Sequence, residues 1–336
     1  MTARIGILGA GSWGTALAVL QAHNGHAVTL WEFQPNVAET LKCKRENPDF
    51  LPGVKIPDAI AITSDLTLAV ENQDLILLVI PSHVVRSVAQ QMAPHNLGDA
   101  IVVSCAKGIE NKTLLCMSNV LDAVIPSLSK ERITALSGPS HAEEVGRLIP
   151  TVVTVGSASL NAARITQEIL RSPVFRVYAS DDIIGVELGG ALKNVIAVAA
   201  GISDGVGFGD NTKAALMTRG LVEITRLGTA LGANSLTFAG LSGMGDLMVT
   251  CMSRHSRNRY LGEQIGQGRS LEDVLAGMVQ VAEGVRTTQS VADLSARHGV
   301  EMPISAEVNQ VLFEGKPPKE AVRDLMTRDS KVEDWG

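Results

Sequence analysis

A glycine-rich turn near the N-terminus is the feature that most constrains how this chain folds. The segment Gly9–Gly14 reads GAGSWG, fits the pattern G-x-G-x-x-G, follows the apolar run Ile5–Leu8 and opens a helical pattern. The first glycine permits a tight turn, the second lets the backbone approach a pyrophosphate, and the third lets helix and strand pack closely. The helix N-terminus offers N–H groups and a favourable dipole to an anion. The turn therefore predicts a dinucleotide-binding site.

Short apolar runs alternate with helical patterns through the first half of the chain. The predicted strands are Arg4–Leu8, Ala27–Trp31, Leu75–Ile80, Ala100–Ser104, Ile133–Leu136, Thr151–Val155 and Phe175–Tyr178. The runs are mostly apolar throughout, which is typical of strands covered on both faces, as in a parallel sheet. Helices are predicted between several of them, for example at Gly14–Asn24 and Ala162–Leu170. This alternation predicts an α/β fold with a doubly wound, Rossmann-type domain.

The pattern changes near residue 181, beyond which the sequence predicts helices and no strand. The predicted helices are Ile183–Ala200, Asn211–Leu231, Ser270–Ala276, Thr287–His298 and Ser305–Phe313. We therefore expect a dinucleotide-binding domain at 1–184 and an all-helical substrate and catalytic domain at 185–336. The polar tail Ser330–Gly336 is expected to fray.

Composition bears on several classes of function. The formal net charge is -6 and aromatic residues make up 3%, so a nucleic-acid-binding surface is not expected. The four cysteines form no C-x-x-C pair, so we expect free thiols in a reducing cytoplasm and no metal site. The longest apolar run, Val186–Gly201, is interrupted by polar residues and is shorter than the roughly 20 residues that span a bilayer. With no signal-peptide pattern, a cytoplasmic protein without a membrane span is expected.

The end of the second predicted strand bears on which dinucleotide binds. Glu32 lies roughly 20 positions after the glycines, where an acidic residue usually binds the adenosine ribose hydroxyls. Residues 33–36 contain no basic side chain for a 2′-phosphate. The sequence therefore favours NADH over NADPH, and the alternative is that Glu32 is a solvated charge at a strand end.

A lysine in the first predicted helix of the second domain is a candidate for proton transfer. Lys193 is the only basic residue between Arg176 and Lys213. In so apolar a helix a lysine either extends to the surface or is placed for use, and burial would lower its pKa. The neighbouring Gly189 and Gly190 reduce helix stability, which indicates that something approaches the backbone closely there.

Three further polar features lie outside the glycine-rich turn. Lys107 and the turn Gly138–Ser140 follow predicted strands, at the edge where open α/β sheets bind ligands. The cluster His255–Arg259 carries guanidinium groups suited to phosphate. From the residues alone, each of these also fits an ordinary surface loop or turn.

In combination, these segments resemble the bacterial NAD(P)-dependent glycerol-3-phosphate dehydrogenase family over almost the full length of the chain. The shared segments are Gly9–Gly14, Ile80–His83, Lys107–Gly108, Ser137–Ala142, Phe175–Tyr178, Gly189–Asn194, Thr218–Gly220, Leu241–Leu247, Ser256–Asn258, Val281–Gly284 and Met302–Ile304. Their shared order and spacing are specific to the family. The resemblance implies reversible oxidation of sn-glycerol 3-phosphate to dihydroxyacetone phosphate with NAD or NADP, which supplies glycerol 3-phosphate for phospholipid synthesis. It also implies a homodimer.

The resemblance further implies roles for individual residues. Lys193 is the expected proton acceptor in oxidation and proton donor in reduction, and Arg257 fits the expected phosphate anchor. The expected substrate-binding residues are Lys107, Gly138, Ser140, Lys193, Asp246, Ser256, Arg257 and Asn258. The expected cofactor-binding residues are Gly9, Gly11, Ser12, Trp13, Gly14, Phe33, Lys107, Ala142, Arg257, Val281 and Glu283. Asp246 would hold either Lys193 or a substrate hydroxyl by a charge-assisted hydrogen bond, and the sequence leaves both open.

The chain departs from the family at the end of the second strand. Relatives often carry His or Arg at the position of Phe33, beside a small residue at the position of Glu32, so the family's usual NADPH preference does not simply carry over. The alternative function is another Rossmann-plus-helical dehydrogenase, of the 3-hydroxyacid or 6-phosphogluconate type, which also uses a lysine of the helical domain. A non-catalytic NADH sensor is a further alternative, against which Lys193, Arg257 and Asp246 together argue.

Overall fold

The structure is a computed structural model that describes residues 2–278, 280–330 and 332–333. The strands are β1 (Arg4–Leu8), β2 (Ala27–Trp31), β3 (Glu46–Asn47), β4 (Leu51–Lys55), β5 (Ala61–Thr63), β6 (Leu75–Leu78), β7 (Ile101–Ser104), β8 (Ile133–Ser137), β9 (Thr151–Ser157) and β10 (Phe175–Ser180). The first helices are α1 (Ser12–His23), α2 (Pro35–Lys44), α3 (Leu66–Val70), α4 (Val85–Met92), α5 (Met117–Val124), α6 (Ala142–Val145) and α7 (Leu160–Leu170).

The remaining helices follow the last strand. They are α8 (Ile183–Val206), α9 (Asp210–Ala230), α10 (Ser235–Phe238), α11 (Asp246–Met252), α12 (Arg257–Gly266), α13 (Leu271–Ala276), α14 (Glu283–His298), α15 (Pro303–Phe313) and α16 (Pro318–Met326). A π-helical turn, Leu241–Gly245, precedes α11. Among the residues described after β10 there is no strand, as predicted. The tail predicted to fray lies for the most part outside the described residues.

The chain divides into two compact units. The sheet unit comprises Met1–Ala106 and Leu115–Val186, and the helical unit comprises Lys107–Leu114 and Glu187–Gly336. The helical unit therefore includes a short segment from the first half of the chain. The single boundary predicted after residue 184 assigns that segment to the first domain. Where the two domains begin and end as folding units stays a prediction.

Eight strands of the sheet unit form one sheet in the order β10-β9-β8-β7-β6-β1-β2-β5. Neighbouring strands pair in parallel except β8 and β9, which are antiparallel. The predicted parallel sheet is thus confirmed for six strands and wrong for β9 and β10, which run in the opposite direction. A parallel connection usually needs a crossover helix, and the segment between β8 and β9 contains only the four-residue helix α6. The chain instead returns directly beside β8.

Both faces of the sheet are covered, which explains why its strands read as unbroken apolar runs. In β6, Leu75 and Leu77 join the hydrophobic cluster on one face with Ile5 and Ile7 of β1. The alternating residues Ile76 and Leu78 join the cluster on the other face. All four β6 side chains are fully buried. Because successive side chains of a strand point to opposite faces, each face needs its own apolar set.

Helix α8 contains the longest apolar run of the sequence, Val186–Gly201. The helix has 24 residues and is long and apolar enough to cross a membrane by length and composition, so the length of the run alone does not decide between a core helix and a membrane span. However, 89% of its most apolar 18-residue window is buried inside the protein. The interrupting residues Glu187, Lys193 and Asn194 are themselves buried. Such extensive burial is typical of a helix in the core of a protein.

A hairpin that the sequence did not predict holds the glycine-rich turn in place. Strands β3 and β4 were missed because one has two residues and the other contains Pro52 and Gly53. Asn47 of β3 is buried, and its Nδ2 donates to the carbonyl oxygen of Ala10 at 2.7 Å and to Oγ1 of Thr15 at 2.9 Å. One amide therefore binds both the turn and the first helix after it.

We predict that Asn47→Ala loosens this turn. The substitution leaves buried acceptors without their donor, so the free energy of unfolding falls by about 1–3 kcal/mol in urea denaturation. We also expect weaker binding of the dinucleotide that the turn predicts, with a severalfold higher KM in steady-state assays, because the backbone of the turn loses its support. The control Asn36→Ala, at an exposed asparagine of α2, changes neither. If Asn47→Ala kept the stability and the KM of the wild type, Asn47 would not hold the glycine-rich turn in place.

Candidate active site

Lys193 is a buried lysine near the middle of α8, with 5% of the residue exposed. Its ammonium group donates hydrogen bonds to Oδ1 of Asp246 and, at 2.6 Å, to Oγ1 of Thr250. The threonine hydroxyl in turn donates to the main-chain carbonyl of Asp246 at 2.6 Å. The lysine therefore does not extend to the surface, because two side chains of α11 hold it inside the unit.

Lys107 binds the same carboxylate from the loop segment of the helical unit. Its ammonium group donates to Oδ2 of Asp246 at 2.7 Å. Asp246 is almost completely buried, and Lys107 is partly exposed. One carboxylate thus holds two ammonium groups through its two oxygens. Of the two partners that the sequence left open for Asp246, the structure shows the contact with Lys193.

Burial and the nearby charges set the pKa values in this cluster. Burial lowers the pKa of Lys193, Asp246 raises it and Lys107 lowers it, and the result is about 8 instead of 10.5. Burial opposes ionisation of Asp246, but the charges and hydrogen bonds of the two lysines outweigh it and lower the pKa of that carboxyl. At neutral pH, Asp246 is therefore ionised, and Lys193 changes its protonation state near pH 8.

The π-helical turn Leu241–Gly245 places the two partners of Lys193. It leads directly into α11, where Asp246 and Thr250 are one helical turn apart and lie on the same side. On α8, a Cβ at Gly189 would lie 2.6 Å from the carbonyl oxygen of Ser242. Only glycine permits this approach of α8 to the turn. The close approach predicted from the helix glycines is confirmed at Gly189.

Two asparagines extend the cluster within the helical unit. Asn194 is buried beside Lys193 in the sequence, and its Nδ2 donates to the carbonyl oxygen of Lys107 at 3.1 Å. Asn258 donates from Nδ2 to Oδ1 of Asn194 at 2.9 Å, and its own Oδ1 accepts the N–H of Gly284 at 2.9 Å. The amide of Asn258, an expected substrate ligand, therefore binds two groups of the protein.

The other expected site residues of the helical unit lie at helix starts or before them. Ser256 is buried, and its hydroxyl caps α12 by accepting the N–H of Arg259 at 3.2 Å. Arg257 is exposed at the first position of α12. Val281 is exposed before α14, and Glu283 is half-buried at the first position of that helix.

The glycine-rich turn of the sheet unit has room for a ligand at its second glycine. Gly9 has φ +110°, and a Cβ at Gly14 would lie 1.8 Å from the carbonyl oxygen of Gly9, so the protein itself requires both glycines. A Cβ at Gly11 would meet no protein atom within 4 Å. Nothing in the protein explains a glycine there, whereas a pyrophosphate against the backbone does. Ser12 and Trp13 form the first turn of α1.

Glu32 lies at the end of β2, directly against this turn. Its carboxylate accepts the N–H of Gln34 at 3.1 Å and also accepts the N–H of Ala10. Burial raises the pKa of Glu32 and these hydrogen bonds oppose that rise. The residue is therefore buried and bound at the turn, which excludes the alternative of a solvated strand-end charge. The adjacent Phe33 is 65% exposed.

The turn after β8 holds the remaining expected residues of the sheet unit. Gly138 has φ +135°, a left-handed conformation that favours glycine. The hydroxyl of Ser140 donates to the carbonyl oxygen of Gly138 at 2.9 Å, and Ala142 begins the short helix α6. These residues follow the carboxyl end of β8, as predicted.

Comparison with known proteins supplies the family. The family model "NAD-dependent glycerol-3-phosphate dehydrogenase N-terminus" matches residues 4–163, and the corresponding C-terminus model matches residues 182–323. The chain is 52% identical over 330 residues to the glycerol-3-phosphate dehydrogenase (NAD(P)+) of Chlorobium phaeobacteroides strain BS1, covering 98% of this chain and 99% of that one. The chain belongs to the NAD-dependent glycerol-3-phosphate dehydrogenase family.

Other members of this family are similar over their whole length. The chain is 53% identical to the glycerol-3-phosphate dehydrogenase (NAD(P)+) of Syntrophotalea carbinolica, covering 98% of this chain and 99% of that one. The crystal structure of glycerol-3-phosphate dehydrogenase from Coxiella burnetii matches with a TM-score of 0.92 at 36% identity, covering 97% of this chain and 99% of that one. These similarities confirm the resemblance and the fold class predicted from the sequence, and place the chain among NAD(P)-dependent oxidoreductases.

Two residues of the cluster around Lys193 were absent from the predicted site. Thr250 lies four residues after Asp246, so helical periodicity places it beside that residue and supplies a usable signal. Asn194 follows Lys193 in an otherwise apolar helix, which is a signal for a buried polar contact. In the described part of the chain, no group of three or more His, Cys, Asp or Glu side chains is placed to hold a metal ion.

We predict that Gly189→Ala displaces Asp246 from the lysines. The added methyl group would lie within 2.6 Å of a main-chain oxygen of the π-helical turn, so the turn and α11 must shift. We expect kcat to fall by about tenfold or more, since sub-ångström placement of reacting groups matters. The control Gly277→Ala places its methyl group at ordinary contact distances and leaves kcat unchanged. Equal kcat in both variants would disprove this role of Gly189.

Proposed function

We propose that this protein catalyses the reversible NAD(P)-dependent oxidation of sn-glycerol 3-phosphate to dihydroxyacetone phosphate. The observation that carries the proposal is the buried Lys193, with a pKa of about 8, held by Asp246 in a chain of this dehydrogenase family. Curated relatives that are 52% and 53% identical in sequence to this chain carry the name of that activity. Two steady-state assays test it: reduction of dihydroxyacetone phosphate with NADH or NADPH, and oxidation with NAD+ or NADP+ of glycerol 3-phosphate, a 3-hydroxyacid and 6-phosphogluconate in parallel. Turnover of either competitor without turnover of dihydroxyacetone phosphate would overturn the assignment.

Proton transfer is the step assigned to Lys193. The nicotinamide ring, when bound, takes hydride from C2 of the substrate or returns it. In oxidation the neutral amine of Lys193 accepts the proton of the C2 hydroxyl, and in reduction the ammonium group returns a proton to the carbonyl oxygen. Asp246 and Thr250 hold the amine in place, and Asp246 stabilises the ammonium form.

Substrate binding is assigned to the two lysines and to six further residues that the family resemblance implies. Arg257 anchors the phosphate through its planar guanidinium group, away from the reacting carbon. Binding energy from this remote group orients C2. The residues assigned to the substrate are Lys107, Gly138, Ser140, Lys193, Asp246, Ser256, Arg257 and Asn258.

Cofactor binding is assigned to the glycine-rich turn and to residues of both units. The residues assigned to the dinucleotide are Gly9, Gly11, Ser12, Trp13, Gly14, Phe33, Lys107, Ala142, Arg257, Val281 and Glu283. The open space beside Gly11 supports a pyrophosphate there. The buried carboxylate of Glu32 favours ribose hydroxyls and repels a 2′-phosphate, so NADH is the preferred cofactor.

The proposal also covers the cellular setting of the reaction. In the reductive direction the product is the glycerol backbone for phospholipid synthesis. The enzyme acts as a homodimer in the cytoplasm. Analytical ultracentrifugation and fractionation of the cells test the oligomeric state and the location.

The pKa of Lys193 predicts opposite pH profiles for the two directions. Oxidation needs the neutral amine, so kcat/KM for glycerol 3-phosphate rises about tenfold per pH unit below pH 8 and levels off above it. Reduction needs the ammonium group, so kcat/KM for dihydroxyacetone phosphate is level below pH 8 and falls above it. In Lys107→Met the loss of a neighbouring positive charge shifts both profiles to higher pH.

The control for these profiles is Lys193→Ala, which removes the titrating group. We expect its kcat to fall by several orders of magnitude while cofactor binding, measured by NADH fluorescence, persists. Near-normal kcat in Lys193→Ala, or profiles that do not change between pH 6 and pH 9, would remove the lysine from the reaction.

The position of Glu32 predicts the cofactor preference and how it changes. We expect kcat/KM with NADH to exceed that with NADPH when dihydroxyacetone phosphate is reduced. Glu32→Ser removes the carboxylate that repels a 2′-phosphate and raises kcat/KM for NADPH by about tenfold or more, since two like charges at short range cost at least 1.4 kcal/mol. Glu39→Ser, at an exposed glutamate of α2, is the matched control. A wild-type preference for NADPH would contradict this part of the proposal.

A further inference from the structure

A chain of hydrogen bonds joins the start of α14 to the loop that carries Lys107. The N–H of Gly284 donates to Oδ1 of Asn258, whose Nδ2 donates to Oδ1 of Asn194, and Nδ2 of Asn194 donates to the carbonyl oxygen of Lys107. The three distances are 2.9, 2.9 and 3.1 Å. Both asparagines are more than nine-tenths buried. Buried amides with several partners hold those partners in a fixed arrangement.

The start of α14 fits closely against α8 at the position of these amides. A Cβ at Gly284 would lie 2.8 Å from the carbonyl oxygen of Asn194 and 2.9 Å from Oδ1 of Asn258. The N–H groups of a helix start need partners from outside the helix, and Asn258 supplies one. The first turn of α14, including Glu283, is therefore fixed relative to α8 and its lysine.

The body of α14 also holds the loop segment Lys107–Leu114. The hydroxyl of Ser290 donates to the carbonyl oxygen of Ile109 at 3.3 Å, and Nδ2 of Asn111 donates to the carbonyl oxygen of Arg286 at 3.1 Å. The segment contains non-glycine residues in the left-handed region, such as Lys112 with φ +73°. Such a backbone persists when its surroundings hold it, and α14 provides this support.

Both the oxygen and the nitrogen of each asparagine amide are therefore hydrogen-bonded to the protein. Oδ1 and one N–H of Asn258 bind Gly284 and Asn194, and Oδ1 and one N–H of Asn194 bind Asn258 and Lys107. A side-chain amide offers two N–H groups and one carbonyl oxygen. Each amide thus uses one N–H group and its oxygen to join three segments of the unit.

We propose that Asn194 and Asn258 couple cofactor binding to substrate binding, Asn194 as a positioning residue and Asn258, itself assigned to the substrate, as the link from Asn194 to α14. They hold Glu283, assigned to the cofactor, and Lys107, assigned to both ligands, in one arrangement, so that a ligand that fixes one segment also fixes the other. The coupling is reciprocal, since each ligand must change the affinity of the other by the same factor. This inference rests on the proposed function, because the ligands of Glu283 and Lys107 are assigned there.

The test measures the coupling directly in the full-length enzyme. The Kd of NADH is determined by its fluorescence without and with saturating sn-glycerol 3-phosphate, a pair that cannot react because both molecules are reduced. The ratio of the two Kd values is the coupling factor. For wild type we expect NADH to bind at least about fivefold more tightly with glycerol 3-phosphate, the lower end of typical couplings.

The variants separate the links of the chain. Asn194→Ala, at a residue assigned to neither ligand, is the decisive variant and reduces the coupling factor to near 1. Asn258→Ala, which also removes an assigned substrate contact, reduces it too, and the double variant is no worse than either, because the links act in series. Asn258→Asp keeps the acceptor for Gly284 but loses the donor to Asn194, and Asn194→Asp loses the donor to Lys107. We expect both aspartate variants to lose the coupling as well. They replace the alanine variants in the test if an alanine variant fails to fold. Asn309→Ala is the matched control and keeps the coupling, since the amide of Asn309 lies on α15 and donates to Glu314 directly after that helix.

Three results would overturn the inference, and one would overturn the proposed function instead. A wild-type coupling factor of 1 disproves the coupling. Retained coupling in the folded asparagine variants, with only a lower Tm, shows a purely structural role. Additive losses in the double variant disprove the series arrangement. If wild type fails to reduce dihydroxyacetone phosphate with NADH, the proposed function fails, whatever the coupling.

Discussion

A single buried carboxylate between two lysines is the interaction on which the site depends. Asp246 binds Lys107 through one oxygen and Lys193 through the other. Burial destabilises the ammonium form of Lys193, Asp246 opposes this effect and Lys107 adds to it, so the pKa of Lys193 lies near 8. Without Asp246 the buried ammonium group of Lys193 and the partly exposed one of Lys107 would repel each other, and without Lys107 the ion pair would keep Lys193 charged at a higher pH. The arrangement makes an ordinary lysine suitable for proton transfer near neutral pH.

The helical unit is built to keep this group of three side chains in place. The π-helical turn presents Asp246 to α8, and the absence of a side chain at Gly189 permits the approach. The segment Lys107–Leu114 belongs to this unit although its neighbours in the sequence belong to the sheet. Its bonds to Asn194 and to α14 explain that membership, because they attach it to helices rather than to strands.

Local patterns predicted much of the fold and part of the site. The spacing of the glycines and the unbroken apolar runs predicted the sheet. The glycine spacing reflects the backbone conformation of one turn, and each apolar run reflects the burial of one strand, so both signals are local in the sequence. The antiparallel strand β9 and the hairpin with Asn47 were missed, since pairing direction and two-residue strands leave little local signal. Lys193 was identified from its apolar surroundings. Its contact with Asp246 spans 53 positions and that of Lys107 spans 139, so the residues alone left the partner of Asp246 open.

The central claim is that burial and the shared carboxylate place the pKa of Lys193 near 8, and NMR tests it most directly. In the full-length protein with ¹³Cε-labelled lysine, the Lys193 resonance is assigned by its loss in Lys193→Arg and followed as the pH is raised from 6 to 11. The account predicts that this one resonance titrates near pH 8, well below the ordinary lysine value of 10.5. A titration at or above 10.5 would contradict it.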